Sequence, residues 1–481
     1  MINVKQKHKI EYGDFQTPIK LADRICHKLS QLNVEPNLII EPTCGTGSFV
    51  EASLKKFPSA SRLIGIDINP IYLQQIKNNK RIQTSKVTLL NSNFFTVDWT
   101  SIINDSQGEI LIIGNFPWVT NSQQGKINAT NLPSKSNFQN HNGLDAITGK
   151  SNFDISEWML IKTVDWLHKY NSSLAMICKT SVARKLLNHI YTQKLNLSYF
   201  ATYKIDAKKH FKANVEASLL YCKFNYSSQN YFCDVFQNID DIQYQRIGYY
   251  KKTLVRDLKS FKKLNCLFDD KNSLKWRSGI KHDCSKVMEL IRVDNKLFNG
   301  LGEIVDIEDK LLFPLLKGSD IANGKTTHTN RYVLVTQTNI GESTGYIKNQ
   351  VPKTWRYLEH NCQYLDARKS KIYKNKPRFS IFGVGEYSFK TWKIAICGLY
   401  KKLDFQLIGE IDNKPIMVDD TVYFLSFEEE EEAHKTYKLL RTQTATDFYS
   451  STIFWDDKRP IKTKILNSLN LTALQKAITS M

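Results

Sequence analysis

The sequence predicts an α/β protein: a mostly parallel sheet covered on both faces by helices, followed by a second domain of mixed α/β character. From about residue 37 to 224, short runs rich in Ile, Val and Leu alternate with helix-length polar segments. That is the pattern of buried parallel strands joined by crossover helices. A turn with two glycines follows the first run, as it does where such sheets hold ligands at the carboxyl ends of their strands. Beyond about 230 the alternation blurs, and aromatic and basic residues mix. At 481 residues the chain is long for one core, so two domains are expected, 1–240 and 241–481, with the crossing between about 225 and 260.

The expected strands are Leu38-Ile-Ile40, Leu63-Ile-Gly-Ile66, Val87-Thr-Leu-Leu90, Ile110-Leu-Ile-Ile113, Leu174-Ala-Met-Ile-Cys178 and Ala217-Ser-Leu-Leu-Tyr221. Residues 120–152 form a long polar stretch carrying Lys126, Lys135 and Lys150, in length either a functional loop or a disordered one. Glu428 to Glu432 precede a helical pattern and suit its first turn, where the macrodipole favours negative charge, so no chemistry is assigned to them.

Composition narrows the function. The chain carries 67 Lys and Arg against 47 Asp and Glu, a formal charge of +20, and such an excess most often faces phosphate. Nine cysteines form no CxxC and no Cys/His cluster with zinc-ligand spacing, so neither a disulfide framework nor a metal is expected. The basic lead Met1 to Lys9 is followed by no apolar stretch, and no run approaches a membrane span. A cytoplasmic, membrane-free protein is the expectation.

Two stretches carry chemistry. EPTCGTGSF, Glu41 to Phe49, leads from a strand into a helix, and Gly45 and Gly47 allow a tight turn with close ligand approach. Alone, this is an ordinary strand-to-helix turn. Asp67, 20 residues after Gly47 at the end of the next strand, adds a carboxylate placed for ribose hydroxyls. The third glycine of a dinucleotide fingerprint is replaced by Val50, and neither Gly143 to Ser151 nor Asn323-Gly-Lys-Thr326 has phosphate-loop spacing. A nucleoside without pyrophosphate is implied. The second stretch, GNFPWVT at 114–120, ends a strand in an amide, a proline and two aromatics; by itself it reads as a turn over a packed core.

Taken in order, these residues resemble the gamma class of S-adenosylmethionine-dependent DNA amino-methyltransferases, in particular the TaqI-like N6-adenine enzymes of restriction-modification systems. Gly13-Asp-Phe-Gln-Thr-Pro18 is similar to the N-terminal motif whose Thr-Pro, here Thr17 and Pro18, lies against the methionine part of the cofactor. Glu41, Pro42, Cys44, Gly45 and Gly47 match the glycine-rich cofactor motif, Asp67 and Ile68 the ribose and adenine contacts, and Asn93-Phe94 the pair bracketing the cofactor adenine. Asn115-Phe-Pro-Trp118 resembles the catalytic tetrapeptide. Weaker matches continue through Phe153 to Trp158 and Phe211 to Ser218, so the resemblance covers about residues 10–225.

The resemblance implies a Rossmann-like methyltransferase domain, S-adenosylmethionine as cofactor, and a C-terminal target-recognition domain for double-stranded DNA. It makes Asn115, Phe116, Pro117 and Trp118 catalytic. In that scheme Asn115 and the carbonyl of Phe116 accept hydrogen bonds from the target amine, while Trp118 and Phe211 stack on a flipped base. The sequence departs from the family twice: Phe116 stands where the pattern has a first proline, and Asn93 where it has Asp. The basic run Arg368, Lys369, Lys371, Lys374, Lys376 and Arg378 around Tyr373 suits phosphate contacts, or equally a solvated basic helix. The expected enzyme is a monomeric bacterial adenine-specific DNA methyltransferase, with any cognate restriction endonuclease acting separately. Cytosine N4, an RNA base or a protein glutamine as acceptor remain open alternatives, as does a DNA-binding subunit with a decayed site. No Asp…Glu-x-Lys arrangement marks a fused nuclease.

Overall fold

The computed structural model describes residues 15–104, 106–118, 155–269, 271 and 275–479. The 120–152 stretch with its three lysines, Gly13-Asp14, and Phe153-Asp154 lie outside them. The chain divides into two compact units, residues 1–257 and 258–481.

The first unit is built on a ten-stranded sheet with five parallel strands at one side: β1 (Pro36–Glu41), β2 (Arg62–Asp67), β3 (Val87–Asn91), β4 (Glu109–Asn115) and β5 (Ser172–Lys179). All six expected strands form. Around β1 the register sets Ile39 beside Leu63 on one flank and Leu111 on the other, and β1 and β4 are buried along nearly their whole length. Strands closed in on both faces have no polar side to alternate, which is why they read as continuous apolar runs.

Two features differ from expectation. The run Tyr199-Phe-Ala-Thr-Tyr-Lys-Ile205 is also a strand, β6, and β7 (Ala217–Phe224) inserts antiparallel between β5 and β6. Beyond it β8 (Phe232–Phe236), β9 (Gln245–Tyr250) and β10 (Thr253–Val255) extend the sheet, giving the order β10-β9-β8-β6-β7-β5-β4-β1-β2-β3. This continuation carries the first unit past residue 240.

Helices cover the sheet. In α1 (Ile19–Gln31) the residues Leu21, Ala22, Ile25, Cys26 and Leu29 are buried at helical spacing, and α2 (Ser48–Lys56) packs alongside with Phe49, Val50 and Ala52 in the same core. α3 (Pro70–Lys77) begins with Asn69, whose side chain accepts from Ile71 N–H, and Pro70 at the first helical position. The order of strands reverses at β1, with β2 on one side and β4 on the other. A crevice opens at such a switch point beyond the carboxyl ends of the strands. Glu41 and Asn115 are the last residues of β1 and β4.

The second unit contains a four-stranded and a six-stranded sheet with short helices. Its backbones approach closely at Gly383, in the left-handed region at φ 71°, where a Cβ would lie 2.1 Å from the Gly279 carbonyl oxygen. Glu430, Glu431 and Glu432 occupy the first turn of the helix Glu430–Leu440. The basic run is no helix: only Lys371–Tyr373 form a 3-10 turn.

Of the nine cysteines, Cys266 is exposed, Cys362 half-buried and the rest buried without disulfides. Among the described residues no helix is long and apolar enough to cross a membrane.

Candidate active site

The crevice at the switch point is a cavity with an empty volume of about 980 Å³, open to solvent. Of the residues expected to hold the cofactor, Thr17, Glu41, Pro42, Cys44, Gly45, Asp67, Ile68, Asn93 and Phe94 line it. Pro18 and Gly47 do not: Pro18 caps α1, and Gly47 caps α2 with φ 85°. A Cβ on Gly47 would lie 2.8 Å from Ile76 Cγ1, so this glycine serves the packing of α2 on α3.

The glycine-rich turn is held from both ends. Cys44 N–H donates to the Ile66 carbonyl at 2.8 Å, and Gly45 N–H donates to Asp67 Oδ2 at 2.8 Å. Asp67 Oδ1 accepts from Asn69 N–H at 2.8 Å, so two backbone donors fix the carboxylate between β2 and the turn. Gln16 Oε1 accepts from the N–H and hydroxyl of Thr46, closing the turn from the N-terminal side. Asn93 uses its amide oxygen locally, accepting from Phe95 N–H at 2.9 Å. Phe94 packs among Phe95, Trp99, Phe116 and Trp166 with centroids 5.1 to 5.5 Å away.

Electrostatically the lining is acidic. Among the described residues it contains Glu41 and Asp67 and no Lys, Arg or His. Glu41 is 3% exposed; it accepts from Val50 N–H, and its Oε2 has no partner among the described residues. Burial, and then the charge of Asp67, hold its carboxyl well above the usual range. A lining with the Asp67 carboxylate, a buried carboxyl at Glu41 and no cation among the described residues disfavours pyrophosphate but suits a nucleoside carrying positive charge. S-adenosylmethionine, with its sulfonium and ammonium groups, fits that description.

At the end of β4, Asn115 Nδ2 donates to the Phe15 carbonyl at 3.0 Å and reaches Thr17 Oγ1 at 3.5 Å. Thr43 Oγ1 donates to the Asn115 carbonyl at 3.3 Å, tying the tetrapeptide to the glycine-rich turn. With the amide nitrogen committed, Oδ1 is buried without a partner among the described residues. Asn115 and Pro117 line the cavity, whereas Phe116 and Trp118 do not. The Phe116 ring is 1% exposed and meets Phe94 edge to face at 5.4 Å. Trp118 is 6% exposed, between Phe15 at 5.5 Å and Phe211 at 5.0 Å.

No family model matches the chain. It is 60% identical to the Type II methyltransferase M.NspV of Nostoc sp. (strain ATCC 29411 / PCC 7524), over 99% of this chain and 100% of that one. The chain belongs to the Type II methyltransferases. A second such methyltransferase, M.CvrRI of Paramecium bursaria Chlorella virus XZ-6E, is 32% identical over 117 residues, 24% of this chain and 27% of its own. Among solved structures, the Type IIL restriction-modification enzyme MmeI in complex with DNA shares the fold, with a TM-score of 0.58 at 12% identity over 97% of this chain and 69% of that one. S-adenosylmethionine is accordingly the cofactor of this Type II methyltransferase.

Half of the lining residues were given no role by the sequence reading of this methyltransferase, among them Phe15, Thr43 and Asn69. Phe15 lay inside a quoted motif but acts through its carbonyl, which no side-chain pattern reveals. The basic run also divides. Arg368 is not a surface cation: its guanidinium donates to the carbonyls of Leu365 at 2.7 Å, Ser380 at 2.7 Å and His282 at 3.3 Å, and stacks 3.7 Å over Tyr373. Arg378 pairs with Asp366 at 3.5 Å, while Lys369, Lys371, Lys374 and Lys376 are exposed. The expectation of a phosphate contact is therefore corrected for Arg368, whose Nε and Nη1 donors go to backbone carbonyls.

Proposed function

We propose that this protein transfers a methyl group from S-adenosylmethionine to the N6 amino group of an adenine flipped out of double-stranded DNA. Membership of the Type II methyltransferases carries DNA methylation in a restriction-modification system; the acceptor atom is inferred from the site. The observation that supports it is the orientation of Asn115. Its Nδ2 is fixed on Phe15, which leaves a buried acceptor, Oδ1, at the carboxyl end of β4 beside the cofactor cavity. An exocyclic amine is a poor nucleophile because its lone pair is delocalised into the ring. Two acceptors on its N–H bonds, Asn115 Oδ1 and the carbonyl of Phe116, favour the tetrahedral nitrogen whose lone pair attacks. That carbonyl is present whichever residue occupies position 116, and the buried Phe116 ring anchors it as a proline ring would.

Bound S-adenosylmethionine supplies an already activated methyl group, so orientation by the protein carries much of the rate. Thr17, Glu41, Gly45, Asp67, Ile68, Asn93 and Phe94 hold it, with Pro18 and Gly47 shaping the elements they cap. Trp118, positioned by Pro117, and Phe211 stack on the extruded base, returning roughly 1 to 3 kcal/mol toward the cost of flipping. The second unit reads the DNA site. The enzyme acts as a monomer in the bacterial cytoplasm, and any cognate endonuclease is a separate protein.

The test is incubation with tritiated S-adenosylmethionine and mixed duplex DNA, followed by nucleoside chromatography. Label in N6-methyladenosine is expected, and Asn115→Ala should reduce it about 100- to 1000-fold with cofactor affinity retained. Label in N4-methylcytosine would replace the base, and full activity of Asn115→Ala would remove the site assignment.

A further inference from the structure

In the second unit, residues 336–344 form a loop pinned along its length by hydrogen bonds. Thr336 and Gln337 are fully buried at its base. Thr336 Oγ1 donates to the Phe379 carbonyl at 2.7 Å, Gln337 Oε1 accepts from Ile381 N–H at 2.9 Å, and Thr344 Oγ1 donates to the Arg378 carbonyl at 2.5 Å. The loop is thereby zipped to residues 378–381, directly continuous with the exposed lysines of the basic run.

Its tip is organised by one carboxylate. Glu342 Oε2 accepts from Thr338 N–H at 2.7 Å, Thr338 Oγ1 at 2.9 Å and Asn339 N–H at 3.1 Å, and Gly341 turns the chain with φ 86°. What this scaffold presents is Asn339, whose amide makes, among the described residues, a long 3.4 Å contact to Thr338 Oγ1, and Ile340, 52% exposed. An isoleucine left half in water at the tip of a rigid, polar loop contributes nothing to the unit's own cores.

We propose that Asn339 and Ile340 are specificity-determining residues that contact base edges of the DNA site. This rests on the reading of the protein as a DNA methyltransferase. An asparagine amide pairs bidentately with adenine N6 and N7, and an aliphatic side chain packs on a thymine methyl. The lysines next to the loop supply the phosphate contacts that set register but carry no sequence information. Because Glu342 and Gln337 fix the loop beforehand, little ordering cost is left for the moment of binding.

The experiment compares wild type, Asn339→Ala, Ile340→Ala and Ile304→Ala, an exposed isoleucine elsewhere on the unit. The methylated site is first mapped by sequencing treated DNA. Then kcat/KM is measured on that site and on each single base-pair variant of it, together with Tm and S-adenosylmethionine affinity. Asn339→Ala should lower kcat/KM on the mapped site by roughly 5- to 150-fold, the range for one bidentate contact, and relax preference at one position. Ile340→Ala should act similarly at an adjacent position, and Ile304→Ala should change neither. Unaltered preference at every position in both loop variants, with Tm and cofactor affinity intact, overturns the proposal. Failure of wild type to label DNA would instead overturn the reading beneath it.

Discussion

The indole of Trp118 meets the ring of Phe211 edge to face, with centroids 5.0 Å apart and planes at 65°. A base between two parallel rings needs a gap of about 7 Å, twice a van der Waals contact. The two rings therefore fill each other's space, and a flipped base enters only if one of them withdraws. Phe211 is the one placed to do so: it ends the helix Ala207–Phe211, only five residues long and stopped by Lys212 in the left-handed conformation. Phe211→Ala should lower kcat/KM for DNA by roughly 5- to 150-fold, the equivalent of one stacking contact, without weakening S-adenosylmethionine binding. Unchanged DNA kinetics would leave Phe211 a core residue only.

Glu41 makes cofactor affinity depend on pH. Burial raises its folded-state pKa, so the free protein keeps it protonated into a range where an exposed glutamate is ionised. A cationic ligand favours the ionised form, so binding should release a proton and strengthen as pH rises toward the folded pKa. Calorimetry in two buffers of different ionisation enthalpy would detect that proton, and Glu41→Gln should abolish it. The same shift acts on stability. The favourable contribution is complete below about pH 4.5 and is lost as pH rises through the folded value. Glu41→Gln should thus raise Tm of the free protein at pH 8 and leave it nearly unchanged at pH 4.

Asp67→Asn tests the glycine-rich turn. Both carboxylate oxygens accept backbone N–H groups, from Gly45 and Asn69. An amide must face one of those donors with its own NH2, a mismatch of about 1 to 3 kcal/mol. Tm should fall and cofactor affinity should drop at least tenfold, measured by calorimetry; unchanged affinity would remove Asp67 from the cofactor site.

Within the basic run, two classes of behaviour are expected. Lys374→Ala and Lys376→Ala should each reduce the salt slope of DNA binding by about 0.9 while leaving Tm alone. Arg368→Ala should lower stability by about 2 to 3 kcal/mol, because it strips the donors from several backbone carbonyls.

The sequence made some of this legible and hid the rest for physical reasons. β1, β2, β4 and β5 are buried along most of their length and, with the apolar edge strand β3, stand out at once. β6, Tyr199-Phe-Ala-Thr-Tyr-Lys-Ile205, mixes tyrosines, Thr and Lys into an otherwise buried strand, and β9 carries exchangeable polar residues, so neither has the continuous apolar signature. The cofactor turn and the tetrapeptide could be located because each needs particular side chains at fixed spacing. The inward fold of Arg368 could not, since its partners are carbonyls up to 86 residues distant. Nor could the contact of Trp118 with Phe211, which joins segments 93 residues apart through a sheet whose strand order is not the chain order.

The distribution of thiols offers a means of watching the protein work. Burial pushes the thiols of Cys26 and Cys233 up to about 12 and raises those of Cys44 and Cys222 as well, so these remain unreactive toward alkylating reagents at neutral pH. Cys266 alone is exposed. With Cys362, the half-buried second thiol, replaced by Ser, brief maleimide treatment would place a dye at Cys266, giving an optical reporter on the second unit with the residues of the methyl-transfer pocket untouched.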